Sequence, residues 1–318
     1  MTFTIHTGDA LAVLKTLPTE SVHCCVTSPP YWGLRDYGVD GMIGLEDTPD
    51  AHMARLVDVF REVRRILRDD GTIWINYGDS YHANVGAGFA AEGTRQRGTL
   101  GGSVPVDHPC KPKDLLGLPW MLAFALRADG WFLRSDIIWH KPNPMPESVT
   151  DRPTKSHEHL FLLSKRARYF YDSDAVREPH VTFTPESKMT GGRNHIGHAG
   201  GTPEQGKNAG NNNLHGARWD QAFHPGGRNL RDVWTIPTAP YPGAHFATFP
   251  EALVIPAIKA GCPAGGTVLD PFAGAGTTLL VAQSLGRDSI GIELNPEYAE
   301  MARKRITGKA PLFNVEAT

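Results

Sequence analysis

Apolar positions recur along the chain with two alternating periods. Phe3 to His6 and the run Val22-His23-Cys24-Cys25-Val26 have the spacing of strands, and the amphipathic stretch Ala10 to Leu17 between them has that of a helix, which makes a βαβ start. Over residues 51–67, Leu56, Val59, Phe60, Val63, Ile66 and Leu67 follow a helical period that ends in the charged Arg68-Asp69-Asp70-Gly71, and Gly71 to Asn76 follows as a strand. Leu118 to Ala128 predicts another helix and Phe132 to Trp139 another strand. Near the end, Val268-Leu269-Asp270 runs as a strand into a glycine loop, an apolar helix follows from Leu279 to Leu285, and Ser289 to Glu293 is a further strand. This rhythm predicts an α/β fold, a mainly parallel twisted sheet with helices on both faces.

Two stretches break the rhythm. Residues 82–113 and 182–230 are rich in glycine and polar residues and can bury little core. Loops of such length within a compact domain are usually functional or disordered.

Composition narrows the setting. A chain of 318 residues, 40% hydrophobic, can bury a substantial core. No apolar run reaches the roughly 18 residues of a membrane span, and the N-terminus lacks a basic stretch followed by an apolar core. A cytoplasmic protein with no membrane contact is therefore expected. Cys24, Cys25, Cys110 and Cys262 show no metal-ligand spacing, so reduced thiols and no metal are expected. The formal net charge of -2 is not that of a strongly basic nucleic-acid binder. Its local distribution differs: six Lys and Arg face three acids between Lys141 and Arg168, and seven basic residues with five histidines face four acids between Arg177 and Arg231. Basic strips on a neutral protein can hold phosphates.

The candidate chemistry starts at Ser28-Pro29-Pro30-Tyr31, which leaves the apolar run ending at Val26. Two adjacent prolines remove two backbone donors and restrict the chain on both sides. Local carbonyls and the Ser28 hydroxyl then face a pocket mainly as acceptors, with Tyr31 and Trp32 as flat walls, an environment suited to the exocyclic amine of a nucleobase. Alone, such a tetrapeptide is more often a turn ending a buried strand. The second motif changes that balance: Asp270-Pro271-Phe272-Ala273-Gly274-Ala275-Gly276-Thr277-Thr278 allows close backbone approach to a ligand. Glu293 falls 23 positions after Asp270, near the spacing at which nucleotide-type folds place an acid on ribose hydroxyls.

With both motifs in this order, the chain resembles the DNA amino-methyltransferases of the permuted β group. Gly8-Asp9, Asp136-Ile137-Ile138-Trp139-His140-Lys141-Pro142-Asn143 and Ala244-His245-Phe246-Ala247-Thr248-Phe249-Pro250 also resemble family blocks, so the likeness spans most of the chain. The resemblance implies a Rossmann-like S-adenosylmethionine-dependent methyltransferase fold. Its catalytic half would cover 1–175, with a loop insertion at about 82–113; a target-recognition region would cover 176–240 and the cofactor-binding half 241–318. The catalytic residues it implies are Ser28, Pro29, Pro30 and Tyr31: the Ser28 side chain and Pro29 carbonyl accept from the amine, and Tyr31 stacks on a base flipped out of the duplex. For S-adenosylmethionine it implies Phe272, Ala273, Gly274, Gly276 and Thr277 beside the methionine end, Glu293 on the ribose, Asp9 near the adenine, and Thr248 with Phe249 near the methionine. Asp270 either orients the cofactor's amino group or caps its own loop, and His245 is a structural residue or a ligand contact.

In this family a serine at the first motif position goes mostly with cytosine N4, and aspartate or asparagine mostly with adenine N6. The expected activity is therefore methyl transfer to cytosine N4 in double-stranded DNA, with adenine N6 as the alternative. A cognate restriction endonuclease acting separately is the expected partner, and monomer and homodimer both stay open. Other classes fit less well. A cytosine C5 enzyme needs a nucleophilic cysteine, for which only Pro109-Cys110 offers itself. A nicotinamide oxidoreductase uses Gly-x-Gly-x-x-Gly rather than Phe-x-Gly-x-Gly, and a non-catalytic DNA-binding regulator leaves the Ser-Pro-Pro-Tyr corner without a task.

Overall fold

The computed structural model describes residues 1–33, 41–82, 110–111, 113–180, 224, 226–238 and 249–309. The chain forms two compact units, one of Met1–Asp172 with Asp232–Thr318, the other of Ser173–Arg231. The first unit is built on an eight-stranded sheet among the described residues. In chain order its elements are β1 (Phe3–Thr7), α1 (Ala10–Thr16), β2 (Val22–Thr27), α2 (Pro49–Ile66), β3 (Leu67–Tyr77), α3 (Leu118–Ala128), β4 (Phe132–His140), β5 (His157–Ser164), β6 (Val233–Thr235), α4 (Glu251–Gly261), β7 (Thr267–Asp270), α5 (Thr277–Ser284), β8 (Asp288–Glu293) and α6 (Pro296–Lys309).

The strands lie in the order β1-β8-β7-β2-β3-β5-β4-β6. All neighbours pair in parallel except β5, which runs against both β3 and β4. Central strands of such a sheet are buried on both faces, and β2 shows it: Val22 and Cys24 to Thr27 are all buried. Alternate residues of β3 separate the two layers. Ile73, Ile75 and Tyr77 pack with Leu56, Phe60 and Val63 of α2 and Leu122 and Leu126 of α3. Thr72 and Trp74 face α4, so closely that a Cβ on Gly261 would come within 2.6 Å of both side chains. At the far edge Phe3 and Ile5 of β1 join Leu279 and Leu280 of α5 and Ala299, Ala302 and Ile306 of α6.

Helix starts follow local chemistry. Asp9 caps α1 by accepting from Ala12 N at 2.8 Å, and Thr48 caps α2 with Pro49 as its first residue. Helix α3 starts at the left-handed Gly117, and its cap comes from elsewhere in the chain: the Asp79 carboxylate, just past β3, accepts from Gly117 N at 3.0 Å and Leu118 N at 3.1 Å.

Two elements depart from the sequence pattern. Strand β3 already starts at Leu67, so Arg68, Asp69 and Asp70 are strand residues rather than the end of a helix. Strand β5 carries no alternating signal, because Leu160 to Leu163 are all buried between two neighbouring strands. The second unit contains a short 3-10 turn, Asp174–Val176, and a bridge between Glu178 and Arg228, where the Glu178 carboxylate accepts from Arg228 Nε at 2.8 Å and Arg231 Nε at 3.1 Å. Most of the stretches 82–113 and 182–230 lies outside the described residues.

Candidate active site

Strands β2 and β7 are parallel neighbours, in register through Cys24 with Val268 and Cys25 with Leu269. Their carboxyl ends therefore release Ser28-Pro29-Pro30-Tyr31 and the loop 271–276 side by side. From there the chain leaves in opposite senses: α2, after β2, belongs to one layer, and α5, after β7, to the other. In open α/β sheets this divergence creates the ligand crevice.

The cofactor side is assembled from three adjacent strand ends. Beyond β7, Asp270 is 1% exposed, and its Oδ1 accepts from Thr27 Oγ1 at 2.6 Å and from Phe272 N at 3.1 Å. That is the loop-capping arrangement. Gly274 and Gly276 take left-handed φ values of 50 and 73°, which a side chain would strain, and among the described residues, its chain neighbours aside, no atom lies within 4 Å of a Cβ placed on Gly274. Ala273 N is bound to Ile292 O and Gly276 N to Ala273 O. The Phe272 ring meets Phe60 edge-on. At the end of β8, Glu293 accepts from Gly274 N at 2.8 Å and Asn295 N at 2.9 Å. Burial pushes its carboxyl above the ordinary range while the Asn295 and Gly274 amides oppose the shift. One step further, Gly8 N is bound to Glu293 O, which brings half-buried Asp9 to the same edge, its carboxylate engaged by Ala12 N. Phe249 borders a narrow cleft with Thr27, Asn76, Leu160 and Leu253.

Three residues singled out in the sequence are placed differently or not at all. Thr277 is buried, and its hydroxyl accepts from Arg305 of α6 at 2.9 Å, turned toward that helix. Thr248 and His245 lie outside the described residues.

Burial makes Asp270 a titration point. Its carboxyl is pushed up to about 6 by removal from water, against the stabilising bonds from Thr27, Thr278 and Phe272. A folded value above the unfolded 3.8 means that the group favours folding below about pH 4 and that this contribution is lost as pH rises through 6. At about 1.4 kcal/mol per pH unit the difference is about 3 kcal/mol. Asp270→Asn keeps an acceptor for Thr27 and Phe272 but cannot ionise. Relative to wild type, the variant is therefore expected to be more stable at pH 7.5 than at pH 4.5, by about 2 kcal/mol in urea unfolding. Equal differences at the two pH values would refute the assignment.

The catalytic side shows what the sequence left unread. Pro29 is buried, and Ser28, Pro30 and Tyr31 are partly exposed. The Tyr31 hydroxyl donates to Glu158 Oε2 at 3.0 Å. Burial, then the charge of Glu158, hold the Tyr31 phenol well above its usual value, so it stays protonated. Its ring meets Tyr77 edge-on at 4.8 Å. Tyr77 is anchored in turn by His52 Nε2 at 2.9 Å, and His52 Nδ1 by Glu46 at 2.8 Å. Burial works against the Glu46 carboxylate, yet His52 and backbone amides bring it down to about 2. Gly78 lies beneath Tyr31, where a Cβ would stand 2.7 Å from Tyr31 Cε2. Glu158 itself gave no sequence signal, and Gly78 only that of a lone glycine at a strand end.

Two expectations are corrected. Trp32 is no pocket wall: it is 5% exposed, and its indole N–H donates to Glu46 O at 2.8 Å. The basic strip 141–168 is not one surface, because β5 runs backwards. Lys141 and Lys155 lie at the site edge, on Glu158 and Asp79 O respectively. Lys165 and Arg166 lie at the opposite edge, paired with Glu20 and Asp69. Arg152 is paired with Glu147 and sits over the Tyr81 ring. Burial raises the Cys110 thiol, the wrong direction for a nucleophile.

Fold and site define a doubly wound α/β protein whose crevice opens where the carboxyl ends of β2 and β7 lie side by side. The profile of the N6/N4 DNA methylase family (N6_N4_Mtase) matches residues 22–304. Among curated proteins, Type II methyltransferase M.Cfr9I of Citrobacter freundii is 47% identical over 308 residues, 96% of this chain and 88% of that protein. M.SmaI of Serratia marcescens is 46% identical over 300 residues, 94% and 89% of the two chains. Among solved structures, TTHA0409 of Thermus thermophilus, crystallised with S-adenosyl-L-methionine, superposes with a TM-score of 0.59 at 26% identity over 99% of both chains. The chain belongs to the N6/N4 DNA methylase family and is a site-specific DNA methyltransferase. No helix among the described residues is long and apolar enough to cross a membrane.

Proposed function

We propose that this enzyme methylates the N4 amine of a cytosine flipped out of double-stranded DNA, as the modification arm of a Type II restriction system like those its relatives are named for. The observation that carries this reading is the adjacency of the Ser28 corner and the glycine loop at neighbouring strand ends. S-adenosylmethionine is the cofactor, and its sulfonium supplies an activated methyl group when bound. The residues fit it. Gly274 leaves room where a Cβ would stand, and each Glu293 oxygen accepts one amide, leaving lone pairs for ribose hydroxyls. Asp9 stands beside Glu293 for the adenine, and Phe272 to Gly276 and Phe249 flank the methionine side.

An exocyclic amine is a weak nucleophile because its lone pair is delocalised into the ring. The Ser28 hydroxyl and Pro29 carbonyl, accepting from its two protons, hold the nitrogen so that the lone pair is released, and the proton leaves only after transfer. No strong base is needed. The protein's own contribution is alignment and exclusion of water. Unpairing the base costs a few kcal/mol, which stacking and these hydrogen bonds offset. Residues 176–240 carry target recognition, and the enzyme acts separately from its nuclease, in the cytoplasm.

Mass spectrometry of nucleosides from DNA methylated by the pure enzyme tests the base assignment. N4-methylcytosine is the expected product. N6-methyladenine alone would replace the base and leave the site geometry standing.

A further inference from the structure

We propose that Asn76 is a cofactor-binding residue whose side-chain oxygen accepts from the α-ammonium of S-adenosylmethionine. That assignment rests on the position given above to Phe249, beside the methionine end.

Asn76 is the last residue but one of β3 and is 3% exposed, on the strand face that carries Thr72 and Trp74 and meets α4. Both protons of its amide are spent on β5: Nδ2 donates to Glu158 Oε2 and to the His159 carbonyl, each at 3.1 Å. A reversed amide would set its oxygen against these two acceptors, so Oδ1 is fixed as the accepting end. Glu158 is held in this arrangement in turn, since its Oε2 also accepts from Tyr31 at 3.0 Å and its Oε1 pairs with Lys141.

With Nδ2 turned to β5, Oδ1 is directed away from that strand, toward the side of β2, and among the described residues no donor meets it. Asn76 borders the narrow cleft that also contains Thr27, Phe249 and Leu253. A nearly buried acceptor of fixed direction is costly to leave unpaired.

The cofactor needs such a group. Along the sheet the order β1-β8-β7-β2-β3 meets its parts in turn, with Asp9 for the adenine, Glu293 for the ribose and the glycine loop after them, so the methionine end continues past β7 toward β2 and β3. An ammonium is a donor only and requires acceptors. Asp270, the acid that the sequence offered for it, is 1% exposed and engaged by Thr27 Oγ1 and Phe272 N. Asn76 Oδ1 takes that place.

The test is binding of two ligands to the full chain by titration calorimetry: S-adenosylhomocysteine, and its analogue lacking only the α-amino group. The wild type is expected to prefer S-adenosylhomocysteine, and equal affinity for the two would overturn the proposal without any variant. Asn76→Leu keeps the volume and removes the amide. It is expected to weaken S-adenosylhomocysteine about tenfold or more, the range for a hydrogen bond to a charged group, and to hold the deaminated analogue within about threefold. Equal losses for both ligands would show a general disturbance of the site and overturn the proposal, as would an unchanged affinity for S-adenosylhomocysteine. Asn76→Ala decides the same comparison if Asn76→Leu fails to fold. A Phe249→Ala chain with both affinities unchanged would instead remove the position of the methionine end on which the assignment rests.

Discussion

Ser28→Ala is expected to slow methyl transfer by about 10²–10³-fold, the range seen when one preorganised hydrogen-bonding group is removed from a reacting centre. The loss arises at the amine. With both protons held by acceptors the nitrogen can leave the plane of its ring; with one acceptor gone, its lone pair stays delocalised and the attack geometry is lost. Ser28 lies at the end of β2 and is no part of the buried core, so the variant should fold normally. Cofactor and DNA binding should be nearly unchanged, because the glycine loop and Glu293 are untouched. Single-turnover assays with separate binding titrations make the distinction. A variant that binds both ligands and transfers at the wild-type rate would exclude the corner as the amine site.

The second large effect is expected at a residue with no functional group. Gly78→Ala puts a methyl 2.7 Å from Tyr31 Cε2 and 3.3 Å from the Glu158 carboxylate carbon. Both neighbours are fixed, Tyr31 by Glu158 and against Tyr77, Glu158 by Lys141 and Asn76. The ring therefore has to tilt or shift. A misplacement approaching 1 Å costs on the order of 100-fold in rate, so transfer should fall by about that factor while S-adenosylmethionine binding holds. The expected stability loss is about 1–3 kcal/mol, the usual range for overpacking. Wild-type rates in a folded Gly78→Ala enzyme would show that the Tyr31 ring need not sit where it does.

Much of this molecule is legible in one dimension. The helix Leu118–Ala128 and the strands at 3–7 and 288–293 are visible as periodicity because each meets two environments in alternation, and the strand at 22–27 is visible as an apolar run leading into the diproline corner. Strand β5 is not, since burial on both faces erases the period of two. Nor did the pattern assign α4 or α6, the elements flanking the cofactor half. The two motifs were legible for a different reason: proline pairs and glycine loops fix backbone shape locally, whatever surrounds them. Trp32 shows where local reasoning fails. A tryptophan beside Tyr31 has the chemistry of a stacking wall, yet the direction of its side chain depends on Glu46, 14 positions away, which captures its N–H.

The sequence by itself determined the alternation of strands and helices, the acceptor-lined diproline corner, and the glycine loop with an acid 23 positions on. These follow from backbone stereochemistry and short-range spacing, which a linear chain carries in full. Tertiary structure alone decided that residues 28 and 274 share one edge, that Asp270 turns inward to its own loop, and that the basic run 141–168 splits between opposite edges. It also decided that Glu158 reaches Tyr31 across 127 positions. The physical reason is strand order and direction: insertion of β7 beside β2 and reversal of β5 bring distant groups within hydrogen-bond reach, and neither pairing leaves a mark on local composition.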